Sequence, residues 1–215
     1  MKIGILGSGI VGQTLGAGLL KYGHQVKLGT RTPDDADVKK WLAATPGATA
    51  GTFAEAAKFG DLVILAAKGT VVESVINLAG KENLNGKALL DATNPIADAP
   101  PENGIVKYFT GPNESLGERV QALVPNAKVV KSFNSVGFGK MVNPHYEQGP
   151  PTMFLCGNDA QAKSQVVEII RQFGWEPYDV GGITAARALE PLCMLWLIPA
   201  FTKNQRTHAF KLLLK

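Results

Sequence analysis

Short, almost wholly apolar runs alternate along the chain with longer stretches in which apolar residues recur at helical spacing. Lys2-Ile3-Gly4-Ile5-Leu6 opens the series. The stretch from Asp61 to Ala67 is the strongest member, continuously apolar as a parallel strand covered on both faces must be. Further strands are predicted over 24–28, 48–50, 87–91, 127–132, 152–156 and 175–180. Between them, Val11, Leu15 and Leu19 mark one helix face, and Thr52 caps a helix through Lys58. Val71, Val72, Val75, Ile76 and Leu78 supply the buried side of another helix. Asn113 or Ser115 starts one that runs through Leu123, and Asn158-Asp159 begins one carrying Val166 to Phe173. This alternation predicts an α/β chain with a doubly wound, mostly parallel sheet over residues 1–180. A small helical lobe over 181–215 is expected to pack on it as one compact unit.

That lobe, from Thr184 onward, contains Pro191 and Pro199. Each lacks a backbone donor and clashes with the preceding turn, so the helix is expected to be kinked or divided. Its apolar residues, Leu189, Leu192, Met194 to Ile198 and Phe201, run nearly all round it. That is more apolar surface than one sheet face needs, which suits either the roof of a ligand pocket or the interface of a homodimer.

Composition narrows the class. A chain of 215 residues buries roughly 70% of its extended surface and needs no disulfide to hold it. Cys156 and Cys193, without a C-x-x-C spacing or a neighbouring His, read as buried thiols and fit a reducing cytoplasm. Lys2 before an apolar stretch has the look of a secretory signal, but glycines interrupt that stretch before Leu19. The longest apolar run elsewhere, Leu192 to Phe201, is too short to span a bilayer and is broken by Pro199, so a soluble protein without a membrane partner is expected. The net charge of +4 is modest, and the basic tail of Lys203, Arg206, Lys211 and Lys215 lacks interleaved aromatic residues. The tail reads as a solvated helix face; nucleic acid is not expected as a partner, and anionic small ligands fit better.

The chemistry begins where the first strand ends. Gly7-Ser8-Gly9-Ile10-Val11-Gly12 matches G-x-G-x-x-G between a strand and a helix, the order of a Rossmann-type dinucleotide site. Gly7 makes the tight turn, Gly9 removes the side chain that would hold a pyrophosphate off the backbone, and Gly12 lets the helix lie close on the strand. The helix N-terminus then offers N–H groups and the positive end of its dipole to the phosphates. At the end of the second strand, where an NAD site carries an acid for the ribose hydroxyls, the chain has Thr30-Arg31. A forked guanidinium with a hydroxyl beside it suits the 2′-phosphate of NADP, against the plainer reading of an exposed turn arginine. Lys68 stands at a strand's carboxyl end, either as a phosphate contact or as a solvated loop lysine.

Taken together, Gly7 to Gly12, Gly29-Thr30-Arg31, Asp91-Ala92-Thr93-Asn94-Pro95, Lys131-Ser132-Phe133-Asn134-Ser135-Val136 and Ala186-Arg187-Ala188-Leu189-Glu190 carry a resemblance. The chain resembles, over nearly its whole length, the deazaflavin-dependent NADP oxidoreductases and the related reductase domain of the six-transmembrane metalloreductases. The resemblance implies an NADP(H) site with a flavin-like hydride acceptor, coenzyme F420 or a flavin, stacked on the nicotinamide beneath the C-terminal lobe. By position, Ser8, Gly9, Ile10 and Val11 would hold the pyrophosphate and Thr30 and Arg31 the 2′-phosphate. Ala66, Ala67 and Lys68 would line the path to the phosphates, and Asn94, Asn134, Ser135 and Val136 the nicotinamide end. Metal reduction at a haem is not implied. Beside this, Asn94 before Pro95 is a turn former in its own right, and Asn134 and Ser135 are able simply to satisfy loop backbone.

The expected reaction is direct hydride transfer with no catalytic side chain and no metal, because the chain shows no nucleophilic triad, H-E-x-x-H or paired carboxylates. Two alternatives stand: a non-enzymatic NADPH sensor, and a small dehydrogenase of another substrate class. The second normally needs a large helical domain after the nucleotide fold. The acceptor pocket is expected between Phe133 to Phe138 and the Leu192–Trp196 helix.

Overall fold

A computed structural model describes residues 1–214; Lys215, counted above with the basic tail, lies outside them. Strands β1 (Lys2–Leu6), β2 (Gln25–Thr30), β3 (Ala48–Thr52), β4 (Leu62–Leu65), β5 (Ala88–Asp91), β6 (Lys128–Ser132), β7 (Thr152–Gly157) and β8 (Glu176–Asp179) form one sheet. Their order is β3-β2-β1-β4-β5-β6-β7-β8, and every neighbouring pair is parallel except β6 with β7. The helices are α1 (Ile10–Lys21), α2 (Ala36–Ala44), α3 (Phe53–Phe59), α4 (Val72–Ala79), α5 (Leu116–Leu123), α6 (Ala160–Gln172) and α7 (Ala186–Thr202). The chain leaves β1 toward β2 and β3, then returns to place β4 on the other side of β1. This reversal opens a crevice outside the carboxyl ends of β1 and β4, the place where open α/β sheets bind ligands.

Both faces of the central strands are buried, and their residues alternate between two cores. Leu62 and Ile64 of β4 join Leu15, Leu19, Trp41 and Val166 of α1, α2 and α6, with Phe173 just after α6. Val63 and Leu65 join Phe53, Val75, Val120 and Leu189 on the side of α3, α4, α5 and α7. Local signals start the helices: Thr52 and Glu55 form a reciprocal capping box, while Asp35, Ser115 and Asp159 each accept a backbone N–H of the following turn.

The C-terminal stretch departs from expectation in two ways. Pro191 and Pro199 do not divide the helix: α7 is one element with both prolines inside. Packing accounts for this, because Leu189, Cys193, Trp196 and Ala200 are buried along one side and offset the lost donors. Residues 203–214 are not helical but fold back, with Thr152 N–H donating to the Phe210 carbonyl (2.9 Å) and the Trp196 indole donating to the His208 carbonyl (2.9 Å). The expectation about membrane length also changes. Ile183–Thr202 forms a helical run of 20 residues, long and apolar enough by length and composition to cross a bilayer. Part of it is buried in this fold, and its charged residues are spoken for: Arg187 pairs with Glu118 and Glu190 with Lys131.

Candidate functional site

The crevice beside β1 and β4 is a cavity of about 240 Å³ lined by Gly7, Ser8, Gly9, Thr30, Arg31, Ala66, Ala67 and Lys68, with Phe53, Val71, Ser74, Val75 and Leu78. The three fingerprint glycines differ in what a side chain would meet. Gly7 has φ +134, and a Cβ on it would lie 2.2 Å from the Ala66 carbonyl oxygen. A Cβ on Gly12 would lie 2.1 Å from the Gly7 carbonyl oxygen. A Cβ on Gly9 would meet nothing within 4 Å, so the space that this glycine leaves free is open to the cleft. Gly9 is also the N-cap of α1, with no side-chain cap and no acid in the first turn, which leaves the positive helix end available to an anion. An open glycine at a bare helix N-terminus is the backbone arrangement that a pyrophosphate group requires.

Thr30 and Arg31, expected from the sequence to meet a 2′-phosphate, are coupled to the glycine turn. Ser8 Oγ donates to Thr30 Oγ1 (3.1 Å), and the Thr32 N–H approaches the same oxygen. Thr30 is buried, Arg31 is exposed at the rim, and among the described residues Arg31 has no carboxylate partner. Lys68 is paired with Asp98 of the 96–112 loop, and the Lys68 ammonium holds the Asp98 carboxyl below the usual carboxylate range. Ile10 and Val11 lie in the first turn of α1, and Gly12 at the contact of α1 with β1, behind the cleft.

Sequence reasoning overlooked part of this wall. Val71, Ser74, Val75 and Leu78 share one face at helical spacing, and Val71 and Leu78 are exposed although apolar. Val72, Val75, Ile76 and Ala79 are buried, whereas Val71 and Leu78, expected from the sequence on the buried side, lie at the outer edge of that face and are open to the cleft.

Asn94, Asn134, Ser135 and Val136 do not line this cavity; they form a second cluster at the carboxyl ends of β5 and β6. The Asn94 amide donates to the Asn134 carbonyl (2.8 Å). In return the Asn134 amide donates to Asn94 Oδ1 (3.2 Å) and to the Leu189 carbonyl of α7 (2.8 Å). Phe133 makes this turn possible by adopting φ 59, a costly conformation for an aromatic residue, while its ring is buried edge-on against Phe173. Where the sequence suggests a pocket between this loop and α7, the Trp196 indole lies so close to Gly137 that a Cβ there would sit 2.7 Å from the ring. That part of the interval is filled.

Beneath the same loops lies a charge cluster not anticipated from the sequence. Lys131 of β6 is wholly buried; its ammonium pairs with Asp91 Oδ2 of β5 (3.0 Å) and Glu190 Oε1 of α7 (2.9 Å). Asp91 also accepts from the Thr93 N–H (2.9 Å) and Thr93 Oγ1 (2.6 Å). Glu190 accepts from the Leu116 and Gly117 N–H groups at the start of α5 (both 2.9 Å). Burial opposes the Lys131 charge, but the Asp91 and Glu190 carboxylates outweigh it and hold the ammonium above the ordinary lysine value. The signal was present in the sequence as an acid and a base inside apolar strands, Ala88-Leu89-Leu90-Asp91 and Val129-Val130-Lys131.

A larger cavity of about 790 Å³ lies between α4, α5 and the 96–112 loop, lined by Val72, Phe109, Leu116, Arg119, Val120 and Leu123 among others. It shares no residue with the glycine cleft, and Glu114 already binds the Arg119 guanidinium in a bidentate pair. Size does not decide between the two; the phosphate-binding geometry belongs to the smaller one.

Comparison with known proteins points to one family. A family model described as NADP oxidoreductase, coenzyme F420-dependent, matches residues 2–95. The F420-dependent NADP reductase of Methanocaldococcus jannaschii is 30% identical over 208 residues, covering 91% of this chain and 90% of that protein. Metalloreductase STEAP3 of Rattus norvegicus is 30% identical over 204 residues; the match takes in 92% of this chain and spans only 38% of the metalloreductase. Among solved structures, a candidate F420-dependent NADP-reductase from Arthrobacter sp. FB24 superimposes with a TM-score of 0.92 at 33% identity, covering 99% of each chain.

Proposed function

The chain belongs to the family of coenzyme F420-dependent NADP oxidoreductases, and from that premise we propose that it passes hydride between NADP(H) and a flavin-like acceptor, either deazaflavin or flavin. The observation that carries the reading is the joined pair of anion sites. An open Gly9 at a bare helix N-terminus is linked through the Ser8–Thr30 bond to the Arg31 guanidinium, which has no carboxylate partner among the described residues. One dinucleotide with a 2′-phosphate satisfies both.

In this reading the backbone of Ser8, Gly9, Ile10 and Val11 holds the pyrophosphate, and Thr30 with Arg31 grips the 2′-phosphate. Phe53, Val71 and Leu78 offer an apolar wall to the adenine, while Ala66 and Ala67 keep the path narrow without blocking it. Asn94 and Asn134 orient the nicotinamide end and Ser135 and Val136 flank it. NADPH supplies the hydride, from C4 of its nicotinamide. The protein's contribution is orientation and exclusion of water, with no side chain acting as a nucleophile. The thiols are unsuited to that role, since burial pushes Cys156 up to about 12 and Cys193 up to about 11. A cytoplasmic location, a C-terminal lobe from residue 181 and a homodimer through α7 complete the proposal.

Stopped-flow oxidation of bound NADPH against the deazaflavin, FMN, FAD and small quinones tests it. Acceleration by at least one tricyclic acceptor is expected. Tight NADPH binding with no acceleration by any of them would replace the reductase reading with that of a sensor.

A further inference from the structure

Asp91 and Lys131 are direct neighbours in the β5–β6 register, and each stands three residues before an asparagine of the second cluster, Asn94 and Asn134. Glu190 follows Leu189, whose carbonyl accepts the Asn134 amide. The buried ions therefore clamp β5, β6, α7 and the start of α5 immediately beneath the loops that carry those asparagines.

The local charges balance through geometry. One ammonium faces two carboxylates; Thr93 satisfies one of these, and the N–H groups at the positive end of α5 satisfy the other. The α7 element is tied at adjacent residues, by Leu189 to the Asn134 side chain and by Glu190 to Lys131. The turn at Phe133 lies between Lys131 and Asn134, and an aromatic residue at φ 59 persists only where its surroundings over-determine it. Asp91, Lys131, Glu190 and the two asparagines are not among the residues that line the glycine cleft.

We propose that Asp91, Lys131 and Glu190 act as a positioning unit that sets how β5 and β6 present Asn94 and Asn134, and so governs binding of the nicotinamide half of the cofactor independently of the phosphate half. This rests on the reading that the nicotinamide end lies at those asparagines. None of the three is a catalytic residue; each acts through the loops above it.

The test compares NADPH with 2′-phospho-ADP-ribose, which keeps the adenosine end and both phosphate contacts but lacks nicotinamide. Glu190→Gln preserves volume and an acceptor for α5 while removing the charge opposite Lys131, and Asp91→Asn does the same on the other side. In each variant NADPH affinity should fall about fivefold or more while the fragment's stays within about twofold of wild type. Equal losses for both ligands, or no loss for either, overturn the inference. Should neither variant fold, hydrogen exchange on the wild-type protein gives the answer. NADPH should protect 92–95, 131–136 and 186–191 beyond what the fragment protects, and identical protection by the two ligands overturns the proposal. If wild-type protein binds NADPH no better than the fragment, the placement of the nicotinamide end fails and the inference falls with it. That outcome differs from one in which wild type and variants discriminate equally, which removes the inference alone.

Discussion

Gly9 and Gly12 belong to one motif yet fail in opposite ways when a methyl group is added. Gly9 has an extended backbone that any residue adopts (φ −72, ψ 177) and open space where its Cβ would be, so Gly9→Ala should fold normally and bind NADPH at least about tenfold more weakly. Gly12→Ala drives a Cβ into the Gly7 carbonyl and should destabilise the fold by about 1–3 kcal/mol. Thermal melts beside fluorescence titrations separate the two, and a large loss of melting temperature in Gly9→Ala would contradict this assignment. Arg31 is a rim residue with no structural partner among those described, so Arg31→Ala should leave stability unchanged. A charged hydrogen bond contributes about 1.5–3 kcal/mol, so the preference for NADPH over NADH should fall about ten- to hundredfold. Titration with both reduced cofactors measures it; unchanged selectivity would return Arg31 to the status of a surface turn residue.

At the scale of elements, α7 shows how packing overrules propensity. Two internal prolines are each expected to cost about 3 kcal/mol in an isolated helix, yet the helix runs through both because one side of it completes the core beside α5 and β6. Its other side leaves Leu195 and Phe201 about half exposed. A second copy of the chain seated on that side would remove them from water. Light scattering should report a dimer that Leu195→Glu converts to monomer without loss of helical circular dichroism. A monomeric wild-type protein would assign the exposed residues another role.

For the whole molecule, buried ionisable groups set the response to pH. Burial raises the Cys156 and Cys193 thiols from an ordinary 9.0 to about 12 and about 11. Lys131 is likewise held above its ordinary 10.5, here by Asp91 and Glu190 against the effect of burial. In all three cases the folded chain keeps a proton that the unfolded chain releases first. Stability is therefore fully present below about pH 9 and lost as pH rises toward the folded values. Glu118 runs the other way: the Arg187 guanidinium holds it below its ordinary 4.5, so its contribution is present above that value and is lost as pH falls. Urea melts from pH 7 to 11 should show a plateau and then a decline beginning near pH 9, with both thiols unreactive toward Ellman's reagent until the protein unfolds. Rapid thiol labelling of native protein at pH 8 would contradict the burial argument.

The sequence by itself determined the strands, the order of helices between them and the glycine turn that lines the cleft, because those depend on contiguous residues. Apolar runs demand burial on both faces, Thr52, Ser115 and Asp159 cap locally, and Gly7, Gly9 and Gly12 act within one turn. Thr30 and Arg31 were legible for the same reason, since their distance from the glycines is fixed by one helix and one strand. What only the tertiary structure decided joins residues far apart in the chain. Lys131 meets Asp91 and Glu190 only after β5, β6 and α7 pack together, and the Asn94–Asn134 bond needs the same pairing. The continuity of α7 through its prolines, the return of residues 203–214 to Trp196 and Thr152, and the antiparallel entry of β7 were closed to sequence reading for a shared reason. Each is stabilised by contacts with no local signature, and local propensity argued against the first.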